Sequence, residues 1–244
     1  IKSILKRRNK KIYLIEDAAE SFLAKHKKKS VGNFGDFSMF SFQASKMLTC
    51  GEGGILVSND KNLYEKSKIY SNLGYFLRNG SYKKIRSDLQ NTNFKRHKLL
   101  GLNYRLSELS AAAVLGQLNN VNKILSYRKK SGTSFANVIK NFNFVKSQKI
   151  EKTNSHSYWA FALIFNSEQT YNLFKIIFNK NGGDYFYGCW LPPYKEDFYK
   201  NYRKKRKINC SIAEKLQKRT VQLKTNYYSK KDLKKQIKAL KITL

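Results

Sequence analysis

A carboxylate, a hydroxyl and a lysine lie close to the ends of two short apolar runs near the start of the chain. Asp17 comes two residues after the run 12–15 (IYLI), Ser41 lies in the aromatic run 37–42 (FSMFSF), and Lys46 follows that run by four residues. Ligands of open α/β sheets bind at the carboxyl ends of strands, where a carboxylate can pair with a cationic group. A lysine at such an edge, beside apolar walls, can supply the neutral amine that Schiff-base chemistry needs.

Each of these signals also has a purely structural explanation. Asp17 could cap a helix, because Asp is preferred at the N-cap position. Lys46 is one of 39 lysines, and the run 51–54 (GEGG) by itself is only a turn that opens a strand. Asn103, two residues before Arg105, could be no more than the N-cap of the helix that follows. The spacing of the residues leaves both explanations open.

Short apolar runs in the first part of the chain alternate with loops and helices, and this alternation predicts an α/β fold. We predict strands over 12–15, 37–42 and 54–57. The polar segment 74–98 indicates an insertion or a mobile loop. Apolar residues at helical spacing over 106–125 predict a helix.

The second part of the chain predicts a mixture of helices and strands. Apolar spacing indicates a helix over 128–141, a strand over 158–165 and a helix over 168–179 that a pair of glycines ends. A last helix begins near Ser229, with Asp232 as a capping-box match. The apolar face predicted for this helix consists of Leu233, Ile237, Leu240 and Leu244.

The chain is strongly basic, with 49 Lys and Arg residues against 16 Asp and Glu residues and a net charge of +33. A surface that binds nucleic acid or another polyanion is one explanation. However, 39 of the basic residues are Lys and only 10 are Arg, the residue preferred for bidentate phosphate contacts. The frequent Lys, Asn and Ile together favour a drift toward AT-rich codons. We therefore expect no specific nucleic-acid partner.

The composition also bounds the location of the protein. No apolar run approaches the roughly 18 residues of a membrane-spanning helix, so we expect no association with a membrane. The three cysteines are scattered, without a CxxC motif, which fits a reducing compartment and hence the cytoplasm. The three histidines are too dispersed to indicate a metal site, and we expect no bound metal.

Three segments, taken in order, resemble the DegT/DnrJ family of sugar aminotransferases, which are pyridoxal-phosphate (PLP) enzymes of fold type I. They are 15–21 (IEDAAES), 31–60 (VGNFGDFSMFSFQASKMLTCGEGGILVSND) and 97–118 (HKLLGLNYRLSELSAAAVLGQL). The resemblance implies the C-terminal part of a fold type I enzyme. Residues 1–124 would form part of the large PLP-binding α/β domain, and residues 125–244 would form the small C-terminal α+β domain.

The resemblance implies a role for four side chains. Lys46 would bind PLP covalently and shuttle the proton during the reaction. Asp17 would pair with the protonated pyridine nitrogen of the cofactor. Ser41 would donate a hydrogen bond to the phosphate of PLP. Asn103 would reach the same phosphate from the neighbouring subunit, because members of the family are homodimers with shared active sites.

Three further residues lie in the matched motifs with roles that the resemblance leaves open. Gln43 belongs to the segment that carries Lys46, and Arg105 belongs to the segment that carries Asn103. Glu20 stands where the family commonly has Gln or His, near the phenolic oxygen of PLP. A second carboxylate beside a phenolate would be unfavourable unless it were protonated or turned away.

The function that the resemblance implies is the transfer of an amino group from glutamate to a nucleotide-linked keto-sugar, for a polysaccharide or glycoside. Family members with His in place of the lysine act as dehydratases, and Lys46 speaks against that branch. The chain starts just before the predicted strand next to Asp17, so we expect it to lack the N-terminal part of the family's chain. Two alternatives stay open, namely a remnant without catalytic activity and a basic module that binds polyanions.

Overall fold

The chain forms two compact units in the computed structural model, which describes residues 1–5, 7, 12–75, 86–88, 90–205 and 209–244. Unit 1 comprises Ile1–Phe22 and Lys29–Asn119, and unit 2 comprises Leu23–Lys28 and Asn120–Leu244. A short segment from the first part of the chain therefore belongs to unit 2. The assignment of a PLP-binding domain to 1–124 and of a small domain to 125–244 stays a prediction.

Short strands and longer helices make up the described residues. The strands are β1 (Ile15–Asp17), β2 (Lys25–His26), β3 (Lys29–Ser30), β4 (Phe37–Ser41), β5 (Gly54–Val57), β6 (Val145–Ser147), β7 (Asn154–Ser155), β8 (Ala160–Phe165), β9 (Phe186–Gly188) and β10 (Thr220–Lys224). The α-helices are α1 (Lys2–Leu5), α2 (Lys61–Ser71), α3 (Glu108–Leu118), α4 (Val121–Ile139), α5 (Glu168–Lys180), α6 (Lys200–Lys205), α7 (Ser211–Gln217) and α8 (Lys230–Thr243). Two 3-10 turns lie at Pro193–Lys195 and Asp197–Tyr199.

Unit 1 is built on a three-stranded sheet of order β1-β4-β5. β1 runs parallel to β4 with Asp17 opposite Met39, and β5 runs antiparallel to β4 with Gly54 opposite Ser41. The parallel pair puts the carboxyl ends of β1 and β4 at the same edge of the sheet. The strands and helices confirm the predicted α/β class, and β4 and β5 confirm two of the predicted strands.

β1 begins later than the sequence predicts. Asp36 Oδ2 accepts a hydrogen bond of 2.7 Å from the Leu14 amide, and the amides of Asp36 and Phe37 both donate to the Leu14 carbonyl. Leu14 is therefore bonded to the turn before β4, and the strand starts at Ile15. The predicted strand over 12–15 was wrong in its bounds, because the N–H and C=O of Leu14 are bonded to the turn before β4.

Glu16 fastens the loop between β3 and β4 to β1. Its carboxylate accepts bonds from the amides of Gly32 (2.9 Å), Phe34 (2.5 Å) and Gly35 (2.6 Å) and from the Ser38 hydroxyl (3.0 Å). Partial burial by itself would raise the pKa of Glu16. The bonds from the amides and the hydroxyl outweigh that effect, so the pKa of Glu16 is lowered from its ordinary value.

The helices of unit 1 begin at side-chain caps. Asp60 Oδ1 accepts from the amides of Asn62 (2.8 Å) and Leu63 (3.1 Å) at the start of α2. Ser107 accepts from the Ser110 amide at the start of α3, so Asn103 is not the N-cap of that helix. The predicted helix over 106–125 is two helices, because residues 119 and 120 form a turn between α3 and α4. The predicted loop over 74–98 lies partly outside the described residues.

Unit 2 has a four-stranded antiparallel sheet of order β6-β8-β10-β9, and β2 pairs with β7 in a separate ladder. Side chains of β8 alternate, with Phe161, Leu163 and Phe165 buried in the core. Helices α4, α5 and α8 contribute the other large members of this core. The strand predicted over 158–165 starts two residues later, because Tyr158 has a left-handed backbone (φ 53°).

The helices of unit 2 follow the sequence pattern closely. α5 confirms the helix predicted over 168–179, and Gly182, with φ 74°, lies just past its end. Ser229 caps α8 by accepting bonds from the Lys231 and Asp232 amides. The predicted apolar face of α8 packs into the core, with Leu233 and Leu240 buried and Ile237 and Leu244 partly buried. Within the described residues, the apolar stretches of the helices are too short to span a bilayer.

Candidate active site

The exit of β1 holds Asp17 at the edge of the unit 1 sheet. The Ala18 amide donates to the Met39 carbonyl at 3.0 Å, so the chain follows β4 for one residue beyond the strand. Asp17 Oδ1 then accepts a bond of 3.2 Å from the Ala19 amide and closes a turn. This turn, and not a helix, follows Asp17. The side chain of Asp17 is exposed, so its other carboxylate oxygen can meet a ligand.

Lys46 lies in the loop over 42–53 that joins β4 to β5. The Phe42 amide donates to the Gly53 carbonyl at 2.8 Å, and the Cys50 amide donates to the Phe42 carbonyl at 3.0 Å, so the base of the loop is closed. The Lys46 amide donates to the Gln43 carbonyl at 2.9 Å. The lysine therefore stands on a short, hydrogen-bonded segment that leaves the sheet at the same edge as Asp17.

The amine of Lys46 reaches the turn that follows β1. Lys46 Nζ lies 2.9 Å from Glu20 Oε1, and the Lys46 side chain is 15% exposed whereas that of Glu20 is 54% exposed. Glu20 is three residues beyond Asp17, so the ion pair brings the loop of Lys46 to the end of β1. Here the carboxylate of Glu20 faces a cation. The placement of Glu20 near the phenolic oxygen of PLP stays a prediction.

Ser41 and Gln43 are bonded to the same loop. Ser41 Oγ, at the last position of β4, accepts a bond of 3.2 Å from the Gln43 amide. Gln43 Oε1 accepts bonds from the amide and the hydroxyl of Ser45, at 2.8 and 2.7 Å. The hydroxyl proton of Ser41 stays available for an anion, while the side chain of Gln43 is committed to the loop.

Asn103 and Arg105 form a local pair in unit 1. Arg105 Nε donates to Asn103 Oδ1 at 2.9 Å, and both side chains are exposed. Asn103 also pairs with Asn72 in an isolated antiparallel bridge. The recorded contacts of Asn103 and Arg105 do not include Lys46 or Asp17. The predicted reach of Asn103 into a neighbouring subunit stays a prediction.

A cavity of about 930 Å³ opens beside the end of β4 in unit 1. Its lining includes Ala19, Ser41 and Gly53 near the strand ends, together with Tyr64 and Tyr70 of α2. Asp17 and Lys46 are not among the residues that line it. The cavity therefore leaves room beside the Ser41 hydroxyl, but the Lys46–Glu20 pair lies outside it.

Gln117, which is distant in sequence, is hydrogen-bonded to the loop of Lys46, and sequence reasoning missed it. Its Oε1 accepts from the Thr49 amide at 3.1 Å, and its Nε2 donates to the Thr49 carbonyl at 2.6 Å. Glu16 was missed in the same way. No local pattern marks either residue, because the partners of Gln117 and Glu16 lie 68 and up to 22 positions away in the sequence.

The donor set at this edge fits PLP. Lys46 offers a primary amine to an aldehyde, Asp17 offers a carboxylate to a pyridinium nitrogen, and the hydroxyl of Ser41 can donate to a phosphate. The ion pair between Lys46 and Glu20 shows that the amine can reach the exit of β1. The three groups therefore share one edge of one sheet.

Comparisons with known proteins agree with this chemistry. The model of the family described as the DegT/DnrJ/EryC1/StrS aminotransferase family matches residues 2–240. GDP-perosamine synthase of Escherichia coli O157:H7 is 33% identical over 158 residues, which are 64% of this chain and 39% of that protein. The matched residues thus span well under half the length of this curated relative.

Solved structures share the fold. The aminotransferase from Psychrobacter cryohalolentis superposes with a TM-score of 0.83 at 20% identity, over 98% of this chain and 63% of that one. The PLP-form of the putative sugar aminotransferase Spr1654 from Streptococcus pneumoniae has a TM-score of 0.75 at 17% identity, over 95% of this chain and 57% of that one. At these identities the similarity concerns the fold.

Proposed function

Because the chain belongs to the DegT/DnrJ/EryC1/StrS aminotransferase family, we propose that it acts in the PLP-dependent transfer of an amino group from glutamate to a nucleotide-linked keto-sugar. The observation that carries the proposal is the amine of Lys46 at the exit of β1, 2.9 Å from Glu20 and next to the turn of Asp17. The names of two similar proteins support it, one a GDP-perosamine synthase and the other solved in a PLP-form.

Three side chains would hold the cofactor. Lys46 would bind it covalently, Asp17 would pair with its ring nitrogen, and Ser41 would donate a hydrogen bond to its phosphate. When bound, PLP supplies an electron sink that lets an amino group and a proton move between two carbon atoms. Ala18 and Ala19 leave space for a ring at the exit of β1, since neither carries a side chain beyond Cβ.

The residues of the chain then do three things. The carboxylate of Asp17 binds and orients a cationic ring, in a charge-assisted contact worth roughly 1.5–3 kcal/mol. The hydroxyl of Ser41 fixes the anionic end of the same ligand. Lys46 accepts and returns a proton at Nζ as general base and general acid. Glu20 can hold the ammonium form of Lys46, because its carboxylate already accepts from that atom.

We further propose a cytoplasmic homodimer with shared active sites. Asn103 is exposed in unit 1, as a residue that serves a neighbouring subunit must be before assembly. Cys50, Cys189 and Cys210 are free cysteines, which suits a reducing compartment. Asn103 of one subunit would bind the phosphate of PLP at the site of the other.

Covalent trapping tests the proposal directly. The chain is incubated with PLP, reduced with borohydride, digested and analysed by mass spectrometry for the modified lysines. We expect Lys46 to be labelled far above the other lysines, and Lys46→Ala to abolish the selective signal. Lys149→Ala is the control, because Lys149 is 86% exposed and lies in unit 2. Equal labelling of Lys46 and of exposed lysines would contradict the proposal.

Turnover is the second readout. With glutamate and a nucleotide-linked keto-deoxysugar as substrates, the wild-type chain should release 2-oxoglutarate, and Lys46→Ala should not. Lys149→Ala should match the wild type. Release of 2-oxoglutarate at a near-normal rate by Lys46→Ala would reject the role of Lys46.

A further inference from the structure

Gln117 makes an unusual double contact with a loop backbone. Its side-chain amide accepts from the Thr49 N–H and donates to the Thr49 C=O, at 3.1 and 2.6 Å. The same Nε2 also donates to the Ala113 carbonyl at 2.8 Å, which fixes the rotamer of the side chain against α3. The primary amide thus pairs with Thr49 as a backbone peptide group of a neighbouring strand would.

The loop that Gln117 holds is the loop that presents Lys46. Thr49 lies three residues beyond the lysine, and the two residues between them, Met47 and Leu48, are buried to 6% and 2% exposure. The hydrogen bond that closes the base of the loop, from the Cys50 amide to the Phe42 carbonyl, lies one residue beyond Thr49. Gln117 therefore supports the stretch between the lysine and the base of the loop.

The ion pair of Lys46 with Glu20 is a further contact of this loop. Its carboxylate partner is more than half exposed, and ion pairs that are open to solvent contribute little to stability. Removing the amide of Gln117 would leave the N–H and C=O of Thr49 without their protein partner. Those groups would then turn toward water, and the loop would gain freedom.

We infer that Gln117 is a positioning residue, which holds the loop of Lys46 so that the amine stands at the exit of β1 for reaction with the aldehyde of the cofactor. This inference rests on the proposed function for the role of Lys46. The reacting step itself is the condensation of the Lys46 amine with an aldehyde, in which a C=N bond forms and one water molecule leaves. Gln117 takes no part in that step.

Three variants of the 244-residue chain separate this role from a general effect on folding. Gln117→Met keeps the length of the side chain and removes both hydrogen bonds to Thr49. Gln117→Glu keeps an acceptor for the Thr49 amide but loses the donor to the Thr49 carbonyl. Gln169→Met is the matched control, because Gln169 is an exposed glutamine on α5 in unit 2.

Amide hydrogen exchange tests the contact without any cofactor. In Gln117→Met the Thr49 amide should exchange about tenfold faster than in the wild type, since the net strength of a hydrogen bond corresponds to roughly that factor. The core amides of β8 in unit 2 should keep their rates. If the Thr49 amide of Gln117→Met exchanges at the wild-type rate, the inference is overturned. This outcome does not depend on whether the chain binds PLP.

Trapping with PLP and borohydride tests the consequence for Lys46. We expect selective labelling of Lys46 to fall about tenfold in Gln117→Met and less in Gln117→Glu, with unchanged far-ultraviolet circular dichroism. Gln169→Met should label as the wild type does. Wild-type labelling of Lys46 in Gln117→Met would overturn the positioning role. If the wild-type chain itself shows no preference for Lys46, the proposed function fails, while hydrogen exchange still decides the contact.

Discussion

The two units differ in how completely they bury their apolar side chains. In unit 2, fourteen buried residues from β6, β8, β10 and three helices form one continuous core. In unit 1 the buried apolar residues of the described segments are Ala18, Phe42, Met47, Leu48 and Val114. The residues that would do chemistry all lie in the unit with the smaller core.

The sheet of unit 1 shows the difference most clearly. Ile55 and Leu56 are neighbours on β5 and therefore point to opposite faces of the sheet, yet both are about half exposed, at 45% and 50%. Ile15 on β1 is 59% exposed and Met39 on β4 is 40% exposed. Contiguous exposed apolar faces are typical of surfaces that contact another protein, a membrane or a ligand. Unit 2 buries its own apolar side chains, whereas the sheet that carries the candidate site in unit 1 has little cover in the described residues.

Truncation of a core side chain should give the largest effect. Phe165→Ala in unit 2 is expected to lower the free energy of unfolding by about 3–5 kcal/mol, because it opens a cavity in a packed core. Ile55→Ala in unit 1 should cost only about 1 kcal/mol by the area argument, since nearly half of the side chain is already in water. Denaturant unfolding followed by circular dichroism measures both. Equal losses would remove the contrast between the units.

The pH dependence of unit 1 should expose the role of Glu16. Glu16→Gln replaces a carboxylate that accepts four hydrogen bonds, and we expect a loss of about 2 kcal/mol at neutral pH. Because the folded pKa of Glu16 is lowered, its contribution is fully present above the ordinary pKa of a glutamate. It is lost as the pH falls through the lowered value.

Stability measured against pH checks that expectation. The difference between the wild type and Glu16→Gln should be constant near neutral pH and should shrink in acid. A difference that grows in acid would reverse the sign of the argument. Glu168→Gln is a suitable control in unit 2, because Glu168 is exposed and its recorded ion pair with Lys218 is long, at 3.4 Å.

Helix caps should give the smallest effects and sharpen the comparison further. Ser229→Ala removes the cap of α8, and Asp60→Ala removes the cap of α2, each at a local cost of about 1 kcal/mol. α8 packs into the core of unit 2, so Ser229→Ala should lower the melting temperature of unit 2. α2 has no buried residue, so loss of Asp60 should change mainly local amide exchange. Similar shifts in melting temperature for both would contradict this difference.

The elements that were predictable from sequence are those with a strong local pattern. β4, β5 and α5 were found because apolar runs, turn glycines and helical spacing all lie within the element itself. Asp17, Ser41 and Lys46 were grouped by the resemblance of their motifs to one family, and the parallel pairing of β1 with β4 puts the ends of their strands at the same edge of the sheet. The cap at Ser229 was found because the capping residue and the first apolar positions lie within one turn of each other.

The features that were missed depend on distant partners. β1 starts at Ile15 because Asp36, 22 positions beyond Leu14, binds the backbone of Leu14. The contacts of Glu16 and Gln117 span similar or longer intervals, and one sequence contains no pattern that reveals them. The break between α3 and α4 falls at two adjacent asparagines, within an apolar spacing that continues across it.

The pairing of β2 with β7 has a consequence for the order of events during synthesis. His26 Nδ1 and Asn154 Oδ1 lie 2.8 Å apart although 128 positions separate them. At a translation rate of about 5–20 residues per second, β2 leaves the ribosome roughly 6–25 seconds before β7 exists. During that interval Lys25 and His26 cannot make their contacts with β7, while residues 29–119 of unit 1 are made. Synonymous codons that slow or speed this stretch are therefore expected to change the yield of folded protein without changing any residue.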